Sequence, residues 1–246
     1  MSKPRFEFKP DAATASPLYL QLAQTLAQSI RDGSFRTNEA LPSERVLADS
    51  LSLSRVTARK AIDQLVDQGL VVRRQGSGNY IAPQLEQPLW RLTGFSEELH
   101  LRGLTPSSRW LTRALTPATP DEQLSLGLSP GAPVARLERL RLADDVVMAY
   151  EVSVLPPALV PEPAAVEGSL YDHLRARGRE PVRALQHIRA QNADARLAQM
   201  LGVPVGHALL FITRVGYLGS GQAVELTLSY CRSDYYGFVA EMKREA

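Results

Sequence analysis

LPSERVLADSLSLSRVTARKAIDQLVDQGLVVRRQGSGNYI, residues 41–81, sets two capped helical runs directly ahead of a basic hairpin turned on glycines. Ser43 precedes a short apolar run through Val46, Leu47 and Leu51, and Ser54 precedes a longer one. Serine is a favoured helix N-cap because its hydroxyl accepts a bond from an otherwise unpaired amide. In the second run Val56, Ala58, Ala61, Ile62, Leu65 and Val66 recur at helical spacing, and Gly69 stands where a left-handed residue closes the helix. Arg55, Thr57, Arg59 and Lys60 crowd its first turns. In a helix-turn-helix that end of the second helix meets base edges, where Arg can grip guanine through two bonds and Thr can meet a phosphate or a thymine methyl. Arg55, Thr57 and Arg59 are therefore the candidate readers.

Beyond Gly69, residues 70–72, 73–78 and 79–82 read as strand, flexible basic turn and strand. Gly76 and Gly78 let a turn backbone approach a sugar-phosphate edge, and Arg73 and Arg74 bring the charge that displaces counterions. The plain alternative is a surface hairpin with solvated arginines; its place behind a basic helix-turn-helix favours a DNA-contacting wing. LPSER, SRVTARKAIDQL and GLVVRRQGSGNYI together resemble the DNA-binding domain of GntR-type bacterial transcription regulators, over residues 15–82. The resemblance implies DNA contacts from Arg45, Arg55 and Arg59, with Gly76 entering the minor groove. Ala58 stands where that family usually carries Val, a change of packing rather than of contact. The expected DNA-contacting set is Ser43, Arg45, Arg55, Thr57, Arg59, Arg74, Gly76 and Gly78.

The rest of the chain implies a second domain. At 246 residues the protein exceeds the usual size of one domain. Of 28 Lys and Arg and 26 Asp and Glu, residues 1–85 hold 11 and 8, so the net +2 divides as +3 and −1. That excess is modest, and the placement of the arginines matters more than their sum. A single cysteine, Cys231, excludes an internal disulfide; the amino terminus lacks a signal-peptide core, and no run of about 18 apolar residues occurs. A cytoplasmic protein without a membrane span is expected. Residues 1–14 read as a flexible leader. Ser16 and Pro17 open an amphipathic helix through Leu18, Leu22, Leu26 and Ile30 that Gly33 closes. Residues 83–90, with Pro83 and Pro88, read as a linker, leaving 91–246 as the second domain.

That domain contains an internal repeat. Residues 119–151 and 192–225 each read as a capped helix, a Pro/Gly break, a strand, a turn and a strand bearing Glu. Asp121 is matched with Asp194, Leu124 with Leu197, Gly131 with Gly206, Arg139 with Arg214 and Glu151 with Glu225; such spacing suits two halves of one sheet domain. Thr119 to Glu122 forms a capping box with Pro at N1. Strands are predicted over 108–115, 134–142, 147–155, 209–217 and 223–231, and helices over 120–126, 170–177 and 193–201. An α+β domain with a largely antiparallel sheet follows.

A period of two sets Leu137, Arg139 and Arg141 on one strand face. Adjacent guanidinium groups repel unless an anion bridges them, and a phosphate accepts both forks. The alternative is an exposed edge kept soluble by charge. The position matching Arg141 in the second half is Gly216, so the doubled charge belongs to the first half alone. Glu151 and Glu225 are acceptors for sugar hydroxyls or an amine, or solvated strand residues, and Ser169 with Tyr171 opens a helix whose N-terminus can hold an anion.

Phe95-Ser96-Glu97-Glu98, Arg102 to Pro106, Arg139-Leu140-Arg141, Ser169-Leu170-Tyr171-Asp172 and the stretch from Glu225 to Asp234-Tyr235-Tyr236 resemble the effector domain of the HutC-type GntR branch, called UTRA and similar in fold to chorismate lyase. The resemblance covers residues 90–243 and is strongest to regulators answering N-acetylglucosamine 6-phosphate or glucosamine 6-phosphate. It implies phosphate binding by Arg139, Arg141, Ser169 and Tyr171, backbone groups from Phe95 and Ser96, and sugar binding by Glu151 and Glu225. The Tyr that covers the sugar ring in such regulators aligns with Cys231, with Tyr230 adjacent, so Tyr230 joins the expected site with its register open.

An enzyme is disfavoured: His100, His173, His187 and His207 are scattered, with no metal-binding, Cys-His, phosphate-loop or dinucleotide pattern, and no metal or cofactor is expected. An RNA binder is disfavoured because Tyr80 is the one aromatic on the wing strands. The expectation is a homodimeric regulator on a palindromic double-stranded operator, with repression relieved by a phosphosugar. An acidic metabolite such as urocanate is the alternative effector.

Overall fold

The computed structural model describes residues 6–11, 16–32, 34–37, 39–74, 76–83, 85–89, 91–240 and 242, and the chain divides into two compact units, Met1–Gln84 and Leu85–Ala246. Gly33, expected to close the first helix, lies outside the described residues.

In the first unit α1 (Leu18–Arg31), α2 (Glu44–Leu51) and α3 (Arg55–Asp67) precede a hairpin of β1 (Val71–Arg74) and β2 (Gly78–Ile81). Both serine caps form: Ser43 Oγ accepts from Val46 N at 3.3 Å and Ser54 Oγ from Thr57 N at 3.0 Å. Leu22 and Leu26 of α1, Leu47 of α2 and Ile62 and Leu65 of α3 are fully buried in one cluster. At about 1.5–3 kcal/mol per large apolar side chain, this cluster holds the three helices together. Val56 and Val46, placed in the apolar runs by sequence, are 63% and 45% exposed, so α2 and α3 present part of their expected core stripe to solvent. The leader is not loose throughout: Phe6 and Phe8 pack against this core, and Phe6 lies 6.2 Å from the Phe35 ring.

The second unit corrects the linker. Leu85–Pro88 form β3, which pairs in parallel with β10 (Tyr236–Val239), with Tyr236 opposite Leu85. The prolines bound the strand without breaking it. Between these two strands in the chain lie α4 (Phe95–Leu101), β4 (Pro106–Pro117), α5 (Pro120–Leu126), β5 (Pro133–Ala143) and β6 (Val146–Leu155). A 3-10 turn at Pro163–Ala165, α6 (Leu170–Arg175), β7 (Arg183–Asn192), α7 (Ala195–Leu201), β8 (Ala208–Tyr217) and β9 (Ala223–Arg232) complete it. The main sheet is antiparallel throughout, in the order β4-β5-β6-β9-β8-β7.

The order expresses the repeat. Val152 pairs with Leu228 at the centre, flanked by Glu151 with Ser229 and Ser153 with Thr227, so β4-β5-β6 and β7-β8-β9 are related by a pseudo-two-fold. Gly131 and Gly206 both hold positive φ after the matching helices α5 and α7. Three sequence matches are corrected by the geometry. The cap equivalent to Asp194 is Thr119, not Asp121. Leu124 is 85% exposed whereas Leu197 is buried. Glu151 lies opposite Arg139, but the residue opposite Arg214 is Thr227, while Glu225 faces Gly216 one step along. α5 and α7 cover one face of the sheet through Leu126, Leu197 and Leu201. α6 and the 3-10 turn cover part of the other, through Leu170, Leu174 and Val166, leaving a cavity over the arginines of β5.

Candidate functional site

In the first unit the expected contact residues are mostly open to solvent. Ser43, Arg45, Arg55, Arg59, Arg74, Gly76 and Gly78 are exposed and Thr57 is half-buried. The Ser43 and Ser54 hydroxyls are committed to capping, and Thr57 Oγ1 lies 2.8 Å from Ser54 Oγ, so the first turn of α3 is stiffened by its own side chains. Arg59 Nε meets Glu44 Oε2 at 3.2 Å. On the wing Arg73 pairs with Asp63, and Arg74 lies 4.5 Å over the Tyr80 ring. Gly76, at φ 72°, and Gly78, at φ 119°, make the turn in backbone that side chains resist, and no atom would meet a Cβ at either.

In the second unit odd-numbered residues of β5 and β9 point to one cavity of about 50 Å³, room for a few waters. Arg139 and Arg141 form one wall and are 3% and 2% exposed, which overturns the exposed-edge alternative. Arg139 donates from Nε to Glu151 Oε1 at 2.8 Å and from Nη1 to Gly168 O at 3.1 Å. Arg141 has only neutral partners: Nη1 meets Ser108 Oγ at 2.8 Å, Nη2 meets Ser96 Oγ at 2.9 Å, and the guanidinium lies 4.4 Å over the Phe95 ring. Its Nε is buried without a hydrogen-bond partner. Burial, then the charge of Arg139, pushes Arg141 down to about 9. Phe95 and Ser96 thus hold Arg141 through ring and hydroxyl.

The opposite wall belongs to the second half. Burial raises the Glu225 carboxyl above its usual value, against the pull of Arg214. Glu225 accepts from Tyr171 OH at 2.9 Å and from Thr227 Oγ1 at 2.6 Å. A Cβ on Gly216 would meet Glu225 Oε2 at 2.9 Å and the Pro181 ring at 3.1 Å. Glu151 behaves oppositely: burial opposes its charge, but Arg139 and then Arg141 outweigh this and hold it below its usual value. Ser169 caps α6 at the rim, its Oγ accepting from Asp172 N at 3.2 Å.

Tyr230 is corrected. Parity decides it: Glu225, Thr227, Ser229 and Cys231 line the cavity, and Tyr230 faces the other side, 4.7 Å from Phe211 and 5.8 Å from Tyr150. Sequence reasoning missed Arg214, Gln87 and Tyr236 as lining residues. The repeat had marked Arg214 as the partner of Arg139, which was signal enough; Gln87 and Tyr236 arrive through the β3–β10 pairing and left no local sign. Among the described residues no group of His, Cys, Asp and Glu could hold a metal, and no helix is long and apolar enough to cross a membrane.

Comparison with known proteins agrees with both units. Residues 18–81 match the model of bacterial regulatory proteins of the gntR family, and residues 101–237 match the UTRA domain. The chain is 36% identical to the HTH-type transcriptional repressor NagR of Bacillus subtilis, over 93% of this chain and 96% of that one. It is 31% identical to the HTH-type transcriptional regulator GgaR of Escherichia coli K12, over 94% and 93%. The crystal structure of PhnF from Mycobacterium smegmatis superposes with a TM-score of 0.63 at 29% identity, covering 91% of this chain and 99% of that one. These relatives are named as regulators, not enzymes. The chain is a transcriptional regulator of the GntR family, in the branch that joins a winged helix-turn-helix to a UTRA domain.

Proposed function

We infer that this regulator is a repressor acting in the cytoplasm, and that a phosphorylated amino sugar, N-acetylglucosamine 6-phosphate or glucosamine 6-phosphate, controls its hold on a palindromic operator. The observation that carries the reading is Arg141, a buried guanidinium with an unpaired Nε and no carboxylate within 4 Å among the described residues. A buried charge left unpaired costs several kcal/mol, and a phosphate beside Arg139 and Arg141 offsets that cost through charge-assisted bonds. Ser96, Ser108 and Ser169 add hydroxyls at the same end. Glu151, Glu225 and Ser229 supply acceptors for ring hydroxyls and a nitrogen substituent. A flat acid such as urocanate would leave that polar row unpaired, a loss the phosphosugar avoids. The similarity to a protein named a repressor supports the sign.

A homodimer would present two copies of α3 to the two halves of a palindrome. A ligand that binds one of two states of the effector domain more tightly would shift the population toward it, and those states would differ in operator affinity. Calorimetry on Arg139→Ala/Arg141→Ala tests the pocket: phosphosugar binding is lost while operator affinity is kept, and undiminished ligand affinity would refute it. A thermal-shift panel of amino-sugar phosphates, other sugar phosphates and organic acids tests the ligand class, and shifts with urocanate alone would overturn it.

A further inference from the structure

A second, larger cavity of about 550 Å³ adjoins the effector pocket, and the two share Gln87 and Arg214 as lining residues. Its outer wall is the start of the edge strand β7, with Arg183 and Gln186, and the segment after β3, with Leu89 and Arg91. Three arginines face this space, and among the described residues no carboxylate lines it. Arg91 is paired with Glu97 at 3.0 Å, but Arg183 and Arg214 have no carboxylate within 4 Å among the described residues. Arg214 donates to neutral oxygens, Gln186 Oε1 at 2.9 Å and Thr93 O at 3.3 Å, and Arg183 lies 4.1 Å over the Tyr217 ring, which fixes its guanidinium without neutralising it. A concave space edged by apolar side chains, with the exposed Arg183 stacked on Tyr217 and with Arg214 bonded to neutral oxygens and sharing its charge with Glu225 of the inner pocket, offers cationic side chains to an anionic group.

We propose that this outer cavity is a second anion subsite, which takes a phosphate or carboxylate carried on the far end of an effector whose first phosphate sits at Arg139 and Arg141. The proposal rests on the phosphosugar reading of the inner pocket and extends it: a sugar phosphate that carries a second anionic group gains a further contact that the monophosphate lacks. Arg214, between the two spaces, would face both ends of such a ligand, and Arg183 would face only the outer group.

Calorimetry on the full chain with glucosamine 6-phosphate and with glucose 1,6-bisphosphate as probes tests this, using wild type, Arg183→Gln, Arg183→Lys and Arg139→Ala/Arg141→Ala. Wild type is expected to bind the bisphosphate more tightly than the monophosphate. Arg183→Gln should weaken the bisphosphate by about tenfold, the scale of one charge-assisted hydrogen bond, and leave the monophosphate within about twofold. Arg183→Lys should restore part of the loss, which separates charge recognition from packing on Tyr217. Equal weakening of both ligands by Arg183→Gln, no weakening of either, or a bisphosphate that binds no better than the monophosphate to wild type would overturn the outer subsite. Failure of the inner pocket has a different signature, undiminished monophosphate binding in Arg139→Ala/Arg141→Ala.

Discussion

Arg139 and Glu151 face each other across β5 and β6 with Nη2 and Oε1 2.6 Å apart, Arg139 buried and Glu151 half-buried. Two residues along the same strand, Arg141 has no such partner. This end of the pocket therefore sets two cations against one close carboxylate. Its sign favours an anion at that end and gives Glu151 the task of neutralising Arg139.

Glu151→Gln should destabilise the unliganded protein by about 3–5 kcal/mol, because it leaves both guanidinium groups buried and uncompensated. The loss should shrink when phosphate is added, since the anion takes over the neutralising role. Urea denaturation with and without phosphate measures both; a loss that phosphate does not relieve would show that Arg139 and Arg141 are closed to anions.

The same pair sets a pH dependence. Arg139 and Arg141 hold the Glu151 carboxyl below its usual 4.5 in the folded state, despite burial. A depressed folded value means the stabilisation is fully present above pH 4.5 and is lost as pH falls through the folded value. Wild type should thus lose its advantage over Glu151→Gln as the pH is lowered below about 4.5. Denaturation midpoints of the two proteins across that range check the sign.

Gly216→Ala addresses the opposite wall. The new Cβ would stand 2.9 Å from Glu225 Oε2 and 3.1 Å from Pro181, so either the carboxylate or Pro181 must shift. Overpacking of this kind costs about 1–3 kcal/mol. The expected result is a weakened effector response with operator affinity unchanged in the absence of ligand; an unaltered response would mean that Glu225 is free to move without consequence.

How much of this was legible depended on whether the signal was local. The caps at Ser43, Ser54 and Thr119, the alternation of β5, β6, β8 and β9, and the arginine pair are all written within a few residues of one another. β7 was not predicted: as an edge strand, paired only with β8, it exposes Leu185, His187 and Arg189 and keeps no clean apolar side. β3 was taken for a linker because its partner β10 lies about 150 residues away in sequence, and a parallel pairing over that separation leaves no local pattern. Tyr230 failed for a different reason. Its parity relative to Glu225 was on the page, and the strand period alone would have sent it to the far face.

On the DNA-binding unit two arginines should separate reading from anchoring. Arg55, exposed in the first turn of α3, is placed to meet a base edge, so Arg55→Ala should cost about 1–3 kcal/mol on the operator and relax preference at one base position in each half-site. Arg74 stands at the wing turn against Tyr80, where the open space at Gly76 and Gly78 would let backbone approach a phosphate. Arg74→Ala should weaken operator and random duplex alike and lower the slope of log affinity against log salt by about 1. Fluorescence anisotropy with both duplexes over a salt series distinguishes the two. If Arg55→Ala weakened operator and random DNA equally, α3 would be holding the backbone, and the base-reading surface would have to be sought elsewhere on the head.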